Sequence, residues 1–109
     1  VSRTDGLLAF GVVNLGCGDL LCTDAVGEAR DELARSAAAL CAARQAHAAA
    51  SPPDSPTPDE LLITMGPRQA LLRSLPATSS TGFVALVDRS QANLALLRFR
   101  LLEAERYLA

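Results

Sequence analysis

The strongest constraint on the fold lies in the last third of the chain, where an apolar run leads through a polar turn into a helix. Residues 83–87 read Phe-Val-Ala-Leu-Val, without the alternation of apolar and polar residues that a strand wet on one face shows. We therefore predict a central strand over 81–87, covered on both faces. Asp88 has the chemistry of a helix N-cap, and Gln91 stands three residues later at the capping-box position.

The helix predicted after this turn carries apolar residues on two sides. Helical periodicity separates them into two stripes that lie roughly 100° or more apart. One stripe can pack on the sheet, whereas the other needs a different cover. The first stripe contains Leu94, Leu97, Leu101, Ala104 and Leu108, and the second contains Ala95, Phe99 and Leu102.

Size and charge exclude several classes of protein. With 109 residues, half of them hydrophobic, the chain predicts one domain over 1–109 with a single modest core. Ten Arg and no Lys against twelve acidic residues give a net charge of -2, which offers no basic face to nucleic acid. The apolar runs are shorter than the roughly 20 residues that span a bilayer. We therefore expect no nucleic-acid or membrane partner and a cytoplasmic location.

The rest of the chain predicts two hairpins around a long helix. An apolar run over 6–14, a turn with two glycines and a second apolar run form the first hairpin. Thr23 and Asp24 are predicted to cap a helix over 25–49, which ends at the Pro-rich loop 51–59. The second hairpin pairs 60–65 with 69–75.

The resulting order is β-β-α-β-β-β-α. It predicts an α/β fold of the α+β sandwich type, in which a five-stranded, mostly antiparallel sheet has helices on both faces. The strand 60–65 follows the Pro-rich loop, where an edge of the sheet is expected.

The long helix has one face for the sheet and one face almost without bulk. Its sheet-facing residues are predicted to be Val26, Ala29, Leu33, Ala37 and Leu40. The small residues on the neighbouring face either let a second copy of the helix approach closely or merely reflect an Ala-rich sequence. That face contains Ala34, Ala38, Ala42 and Ala49, together with Gln45 and Asp31.

The cysteines show no metal-binding or disulfide pattern. Cys17, Cys22 and Cys41 cannot all pair within one chain, and His47 is the only imidazole. Cys41 and His47 stand six residues apart, which puts their side chains about 120° apart on a helix, so Cys41 is interpreted as a core residue. Cys17, in a Gly-flanked turn, leaves a small thiol enzyme as an alternative. We predict no catalytic residues, no metal and no cofactor.

The element order and three segments together resemble the Roadblock/dynein light-chain family. The nearest match is residues 82–108, where the last strand leads into a helix start that reads ANLALLR over 92–98. Weaker matches are the opening hairpin over 5–24 and the Ala-rich helix after it. The resemblance implies a longin-like and profilin-like sandwich that is not an enzyme. Bacterial members form homodimers through the long helix and the neighbouring strand edge, and many act beside a small Ras-like GTPase in signalling, polarity or motility.

This resemblance implies two sets of site residues. The expected homodimer interface contains Ala34, Ala38, Ala42, Gln45, Leu61 and Ile63, and the expected contacts to the GTPase are Asp31, Arg35 and Arg44. Alternatively, these three are ordinary solvated helix residues, with Asp31 and Arg35 forming an i,i+4 ion pair. Family members usually begin with an additional helix, whereas this chain starts at or just before its first strand. Ala95, Phe99 and Leu102 lie where that helix would rest, so we expect either a preceding helix or a partner to cover them. An acidic dimeric chaperone of secretion substrates is a further alternative.

Overall fold

The computed structural model describes residues 6–56, 58–75, 80–91 and 93–108. Within them the predicted order of five strands and two helices is confirmed. The elements are β1 Leu7–Asn14, β2 Leu20–Thr23, α1 Gly27–Ala50, β3 Glu60–Met65, β4 Arg68–Ser74, β5 Thr81–Asp88 and α2 Leu94–Leu108.

The strands form one antiparallel sheet in the order β2-β1-β5-β4-β3. As the uninterrupted apolar run predicted, β5 is the central strand, and its residues 82–87 are buried. A strand between two neighbours and beneath two helices has no wet face, so alternation of polarity would leave polar groups without solvent. In the described sheet the edges are β2 and β3.

The two helices cover opposite faces of the sheet, and each encloses a hydrophobic core. Successive residues of β5 contribute alternately to the core under α1 and the core under α2. Val84 and Leu86 point to α1, where they meet the fully buried Leu33 and Leu40. The intervening residues Phe83, Ala85 and Val87 point to α2 and meet Leu97 and Leu101. Successive strand residues face opposite sides, which is why one apolar run can fill two cores.

The sheet-facing stripes of both helices are confirmed, except at their ends. The described members of the first α2 stripe pack on the sheet, while the side chain of Leu108 lies outside the described part. Val26, predicted to face the sheet, is 80% exposed. It lies before α1, because the helix begins at Gly27, whose φ of +62° is a left-handed conformation that favours glycine.

Thr23 closes β2 instead of capping α1 directly. Its hydroxyl donates to the carbonyl oxygen of Phe10 at 2.6 Å and accepts from the N–H of Ala25 at 3.1 Å. The predicted helix start at Ala25 is therefore two residues early.

The predicted capping box at Asp88 and Gln91 is wrong. Asn93 Oδ1 accepts from the N–H of Leu96 at 3.1 Å, so Asn93 caps α2. Asp88 instead ends β5 and closes a turn, where its Oδ1 accepts from the N–H and hydroxyl of Ser90. In a turn, an aspartate side chain accepts a hydrogen bond from the backbone N–H two residues ahead, and at a helix start it accepts one in the same way. The residue type alone therefore cannot distinguish a turn from a helix cap.

Candidate protein-docking surfaces

The outer edge of β3 is an open end of the sheet. All six of its residues pair with β4 in unbroken register, from Glu60 opposite Arg73 to Met65 opposite Arg68. The other side of β3 has no neighbouring strand in the described sheet. Its outward N–H and C=O groups can therefore accept another strand.

The opposite edge is less suited to strand addition. β2 has only four residues, and the register of its pairing with β1 shifts between Val12 and Val13. A short strand beside an irregular pairing is one of the ways in which proteins discourage edge-to-edge contact. The two edges thus differ, and β3 is the one shaped for pairing.

Apolar side chains accompany the β3 edge on both faces. Leu61 and Ile63 are half-buried and pack against the core beneath α1, whereas Leu62 and Met65 are more exposed. Few charges interrupt this strand, since Glu60 is its only ionisable residue. The edge therefore offers apolar area in addition to backbone hydrogen bonds.

A groove joins this edge to the adjacent flank of α1. It has a volume of about 420 Å³. Arg68 Nε lies 3.3 Å from Glu32 Oε2, and this ion pair between two residues of the groove lining ties β4 to α1. The lining residues are Glu32, Arg35, Ser36, Ala39, Met65 and Arg68.

The other flank of α1 faces the turn between β1 and β2. Gln45 Nε2 donates to the carbonyl oxygens of Leu15 and Gly16, and Ala38 packs against Gly18 of this turn. Gln45 and Ala38 share this flank with Ala34 by helical periodicity. Ala34, Ala38 and Gln45 therefore lie on the flank away from β3 with its Leu61 and Ile63, whereas Ala42 is exposed on the outer side of the helix.

Of the three residues predicted to contact a GTPase, Asp31 and Arg35 lie one turn apart on α1, and Arg44 lies farther along the helix. Asp31 and Arg35 are exposed, and in the described part of the chain neither forms an ion pair. Arg35 lines the groove beside β3. Arg44 lies near the C-terminal end of α1, half-buried, with its Nε enclosed and without a hydrogen-bond partner among the described residues.

Helix α2 leaves an apolar flank uncovered. Phe99 is 56% exposed and Leu102 is 43% exposed, and Ala95 is exposed beside them. A second hollow, of about 380 Å³, lies along β1 and β2 and includes Phe10 and Val12. The second stripe predicted from the sequence is thus present.

Ion pairs hold α2 over the β3 side of the sheet. Arg73 Nε contacts Glu105 Oε1 at 2.7 Å, and Arg98 Nε contacts Glu60 Oε2 at 2.9 Å. Arg73 also lies 3.6 Å from Glu60, which links the two pairs. The charges at this end of β3 are therefore engaged in holding α2.

The thiols and carboxylates of the described residues do not gather into a metal centre. No group of three or more His, Cys, Asp or Glu in this part of the chain could hold an ion. Cys41 is buried as predicted, and burial raises the pKa of its thiol. His47 lies at the end of α1, with Nδ1 3.4 Å from Ser51 Oγ. Nor is any helix among the described residues long and apolar enough to cross a membrane.

The chain belongs to the α+β sandwich class. Its five-stranded antiparallel sheet has one helix on each face and one open, regular edge. Solved structures identify which sandwich this is. A Roadblock/LC7 domain from Streptomyces avermitilis has a TM-score of 0.76 at 13% sequence identity, covering 97% of this chain and 85% of that one. MglB from Myxococcus xanthus has a TM-score of 0.67 at 17% identity, with coverage of 94% and 74%.

MglC, also from Myxococcus xanthus, has a TM-score of 0.63 at 17% identity and covers 96% of this chain and 89% of its own. The chain therefore has the Roadblock/LC7 fold, as its sequence resemblance predicted. No protein-family profile matches the sequence, and no curated protein matches it either.

Sequence reasoning missed the groove between α1 and β3. Glu32, Ser36 and Ala39 recur at helical spacing, which shows that they share a flank. The partners Met65 and Arg68 come from a hairpin on the far side of the Pro-rich loop. Only the position of α1 on the sheet reveals that they meet.

Proposed function

We propose that this chain is a non-enzymatic regulatory module that forms a homodimer and binds a small Ras-like GTPase. The observation that carries the proposal is the open edge of β3, six residues long, regularly paired on its inner side and continuous with the α1 groove. The Roadblock/LC7 fold supports it, because the sequence resemblance to that family implies dimers that act beside a GTPase.

In the proposed dimer, the β3 strands of two copies pair across a two-fold axis. The two five-stranded sheets then form one sheet of ten strands, and the backbone groups at the edge acquire partners. Leu61 and Ile63 remain in this interface. On α1 the contact moves to the groove flank, around Arg35 and Ala39, because this flank lies on the same side as β3.

Two neighbouring alanines separate this arrangement from the one first predicted. Ala39→Glu places a charge on the groove flank, and Ala38→Glu places the same charge on the flank beside the β1–β2 turn. Moving a carboxylate out of water into a protein contact is unfavourable even beside a cation such as Arg35, which lies one turn before Ala39. We therefore expect Ala39→Glu to shift the mass in sedimentation equilibrium toward the monomer, and Ala38→Glu to leave the dimer intact.

Circular dichroism of both variants checks that they remain folded. Loss of the dimer in Ala38→Glu alone would restore the small-residue face as the interface. A wild-type chain that stays monomeric at high concentration would reject the homodimer.

The GTPase contact is tested most directly at Asp31. This carboxylate is exposed on the outer side of α1 and forms no ion pair in the described part of the chain. Charge reversal at an exposed contact acts mainly on the association rate and its salt dependence. Asp31→Arg should therefore slow association with a purified Ras-like GTPase from the same genome.

Asp54→Arg provides a matched control, because Asp54 is exposed in the connection between α1 and β3. Binding is measured by fluorescence anisotropy with the GTPase loaded with GTP and then with GDP. If none of the Ras-like GTPases of that genome binds in either state, the proposed partner is wrong, whatever the oligomeric state.

A further inference from the structure

The turn between β1 and β2 is fastened to α1 on both sides of Cys17. Before it, Gln45 Nε2 donates to the carbonyl oxygens of Leu15 at 3.2 Å and Gly16 at 2.8 Å. After it, Gly18 lies directly against the helix. A Cβ added at Gly18 would stand 3.6 Å from the Cβ of Cys41.

This separation has a chemical meaning. The Cβ atoms of a disulfide lie about 3.5–4.5 Å apart, so the backbone at position 18 already stands at bridging distance from Cys41. Cys17 is the adjacent residue, and its exposed side chain lies between Gly16 and Gly18. Gly18 adopts a φ of +80°. Because its neighbours are held against α1, a bridge requires only Cys17 itself to rotate inward, and a glycine on each side favours such a local rotation.

The electrostatic environment of the Cys41 thiol includes both Arg44 and Cys17. Burial raises the pKa of Cys41, the positive charge of Arg44 opposes that rise, and the charge of Cys17 adds to it. A cation beside a thiol stabilises its thiolate, the form that attacks a disulfide. Burial is the largest influence, so the pKa of Cys41 stays raised and Arg44 offsets part of that rise.

The third cysteine lies on the other face of the sheet. Cys22 stands opposite Val12 in the pairing of β1 with β2, and paired residues of adjacent strands point to the same face. Val12 packs with the core under α2, whereas Cys41 belongs to the core under α1. The sheet thus separates Cys22 from Cys41.

We propose that Cys17 and Cys41 form an intramolecular disulfide when the chain meets a low-molecular-weight disulfide. The Cys17 thiolate attacks one sulfur of that molecule, forms a mixed disulfide and releases the other half as a thiolate, which takes up a proton. The Cys41 thiolate then attacks the Cys17 sulfur and expels the second half as a thiol. The two cysteines lose two electrons and two protons, and one external disulfide is reduced to two thiols.

This link pins the β1–β2 turn to the flank of α1 that faces away from β3. It is independent of the proposed dimer, because the β3 edge and its groove lie on the opposite flank. Oxidation can thus be tested on the chain in either oligomeric state.

The test uses the full chain equilibrated with oxidised and reduced glutathione at a series of ratios. After alkylation of free thiols, digestion after arginine and before aspartate separates the three cysteines, since Asp19 lies between Cys17 and Cys22. Mass spectrometry should show one cross-link that joins the Cys17 peptide to the Cys41 peptide. Two of the three thiols should be lost, with Cys22 remaining free.

Two conservative variants serve as controls. Cys22→Ser should form the same link at the same glutathione ratio as the wild type. Cys17→Ser, at an exposed position, should fold normally and keep Cys41 reduced. The proposal is overturned if Cys17 stays as a mixed disulfide with glutathione while Cys41 remains free, or if the link involves Cys22 or a second copy.

Discussion

Two residues of α2, one on each apolar stripe, test whether the exposed flank of this helix is bare in solution. Leu101 is fully buried against the sheet, and Phe99, two positions earlier, is 56% exposed. Truncation of a buried leucine to alanine costs about 2–5 kcal/mol, because it removes apolar contacts and leaves a cavity. Full burial of a phenylalanine contributes about 1.5–3 kcal/mol, so a side chain less than half buried contributes about 1 kcal/mol or less.

Thermal unfolding of the wild type, Leu101→Ala and Phe99→Ala measures the difference, and urea denaturation gives the corresponding free energies of unfolding. For a domain of this size, each 1 kcal/mol corresponds to about 4–8 °C in melting temperature. Leu101→Ala should therefore lower the melting temperature by about 10 °C or more, and Phe99→Ala by only a few degrees. Leu102→Ala, on the same exposed flank, should resemble Phe99→Ala.

The refuting result is a loss of about 3 kcal/mol or more in Phe99→Ala. Such a loss would show that Phe99 is covered in solution and that a partner surface packs on this flank. A small loss in both exposed variants would instead confirm that α2 contributes to folding through one stripe alone.

Three other substitutions probe local geometry. Gly11→Ala should destabilise the chain by about 1–3 kcal/mol, because the new Cβ would lie 2.8 Å from the Cys22 carbonyl oxygen. Gly16→Ala is the control: its Cβ would meet only a side-chain atom, at 3.2 Å, so the urea midpoint should change little. Asn93→Ala should cost about 1 kcal/mol through loss of the α2 cap, and Gln91→Ala almost nothing, in the same measurement. Hydrogen bonds from Ser90 lower the pKa of Asp88, so Ser90→Ala should raise that pKa in an NMR titration. A carboxyl whose pKa is lowered in the folded state stabilises the fold at pH values above its unfolded pKa. This stabilisation is lost as the pH falls through the folded pKa. An unchanged Asp88 titration in Ser90→Ala would contradict this assignment of the turn.

The sequence predicted a strand well where every residue of the strand is buried. It predicted the ends of helices and strands less well, because polar residues mark those ends. The unbroken run of β5 identified a strand covered on both faces, and the place of β3 after the Pro-rich loop identified an edge. Helix starts were less certain. Asp88 and Asn93 both offer a side-chain oxygen to a nearby N–H, and only the backbone path shows which one caps α2.

The candidate dimer surface shows a further limit. Helical periodicity placed Ala34, Ala38 and Ala42 beside the sheet-facing stripe of α1, but a helix has two such flanks. Which flank faces which sheet edge depends on how α1 lies on the sheet, and this is fixed by contacts with distant strands. Gln45 on the β1–β2 turn and Glu32 on Arg68 reveal that orientation.

Sequence alone determined the helices and strands, their order, and which stripe of each helix is buried on the sheet. It could do so because hydrophobic periodicity follows directly from the geometry of helices and strands. It also determined that α2 has more apolar surface than one sheet can cover. Tertiary structure alone decided that β3 and the Arg35 flank share one side of the molecule, and that the β1–β2 turn with Cys17 lies against the helix that carries Cys41. These pairs are distant along the chain, and nothing in the local periodicity of either partner encodes their meeting. They come together because the chain crosses the sheet between them.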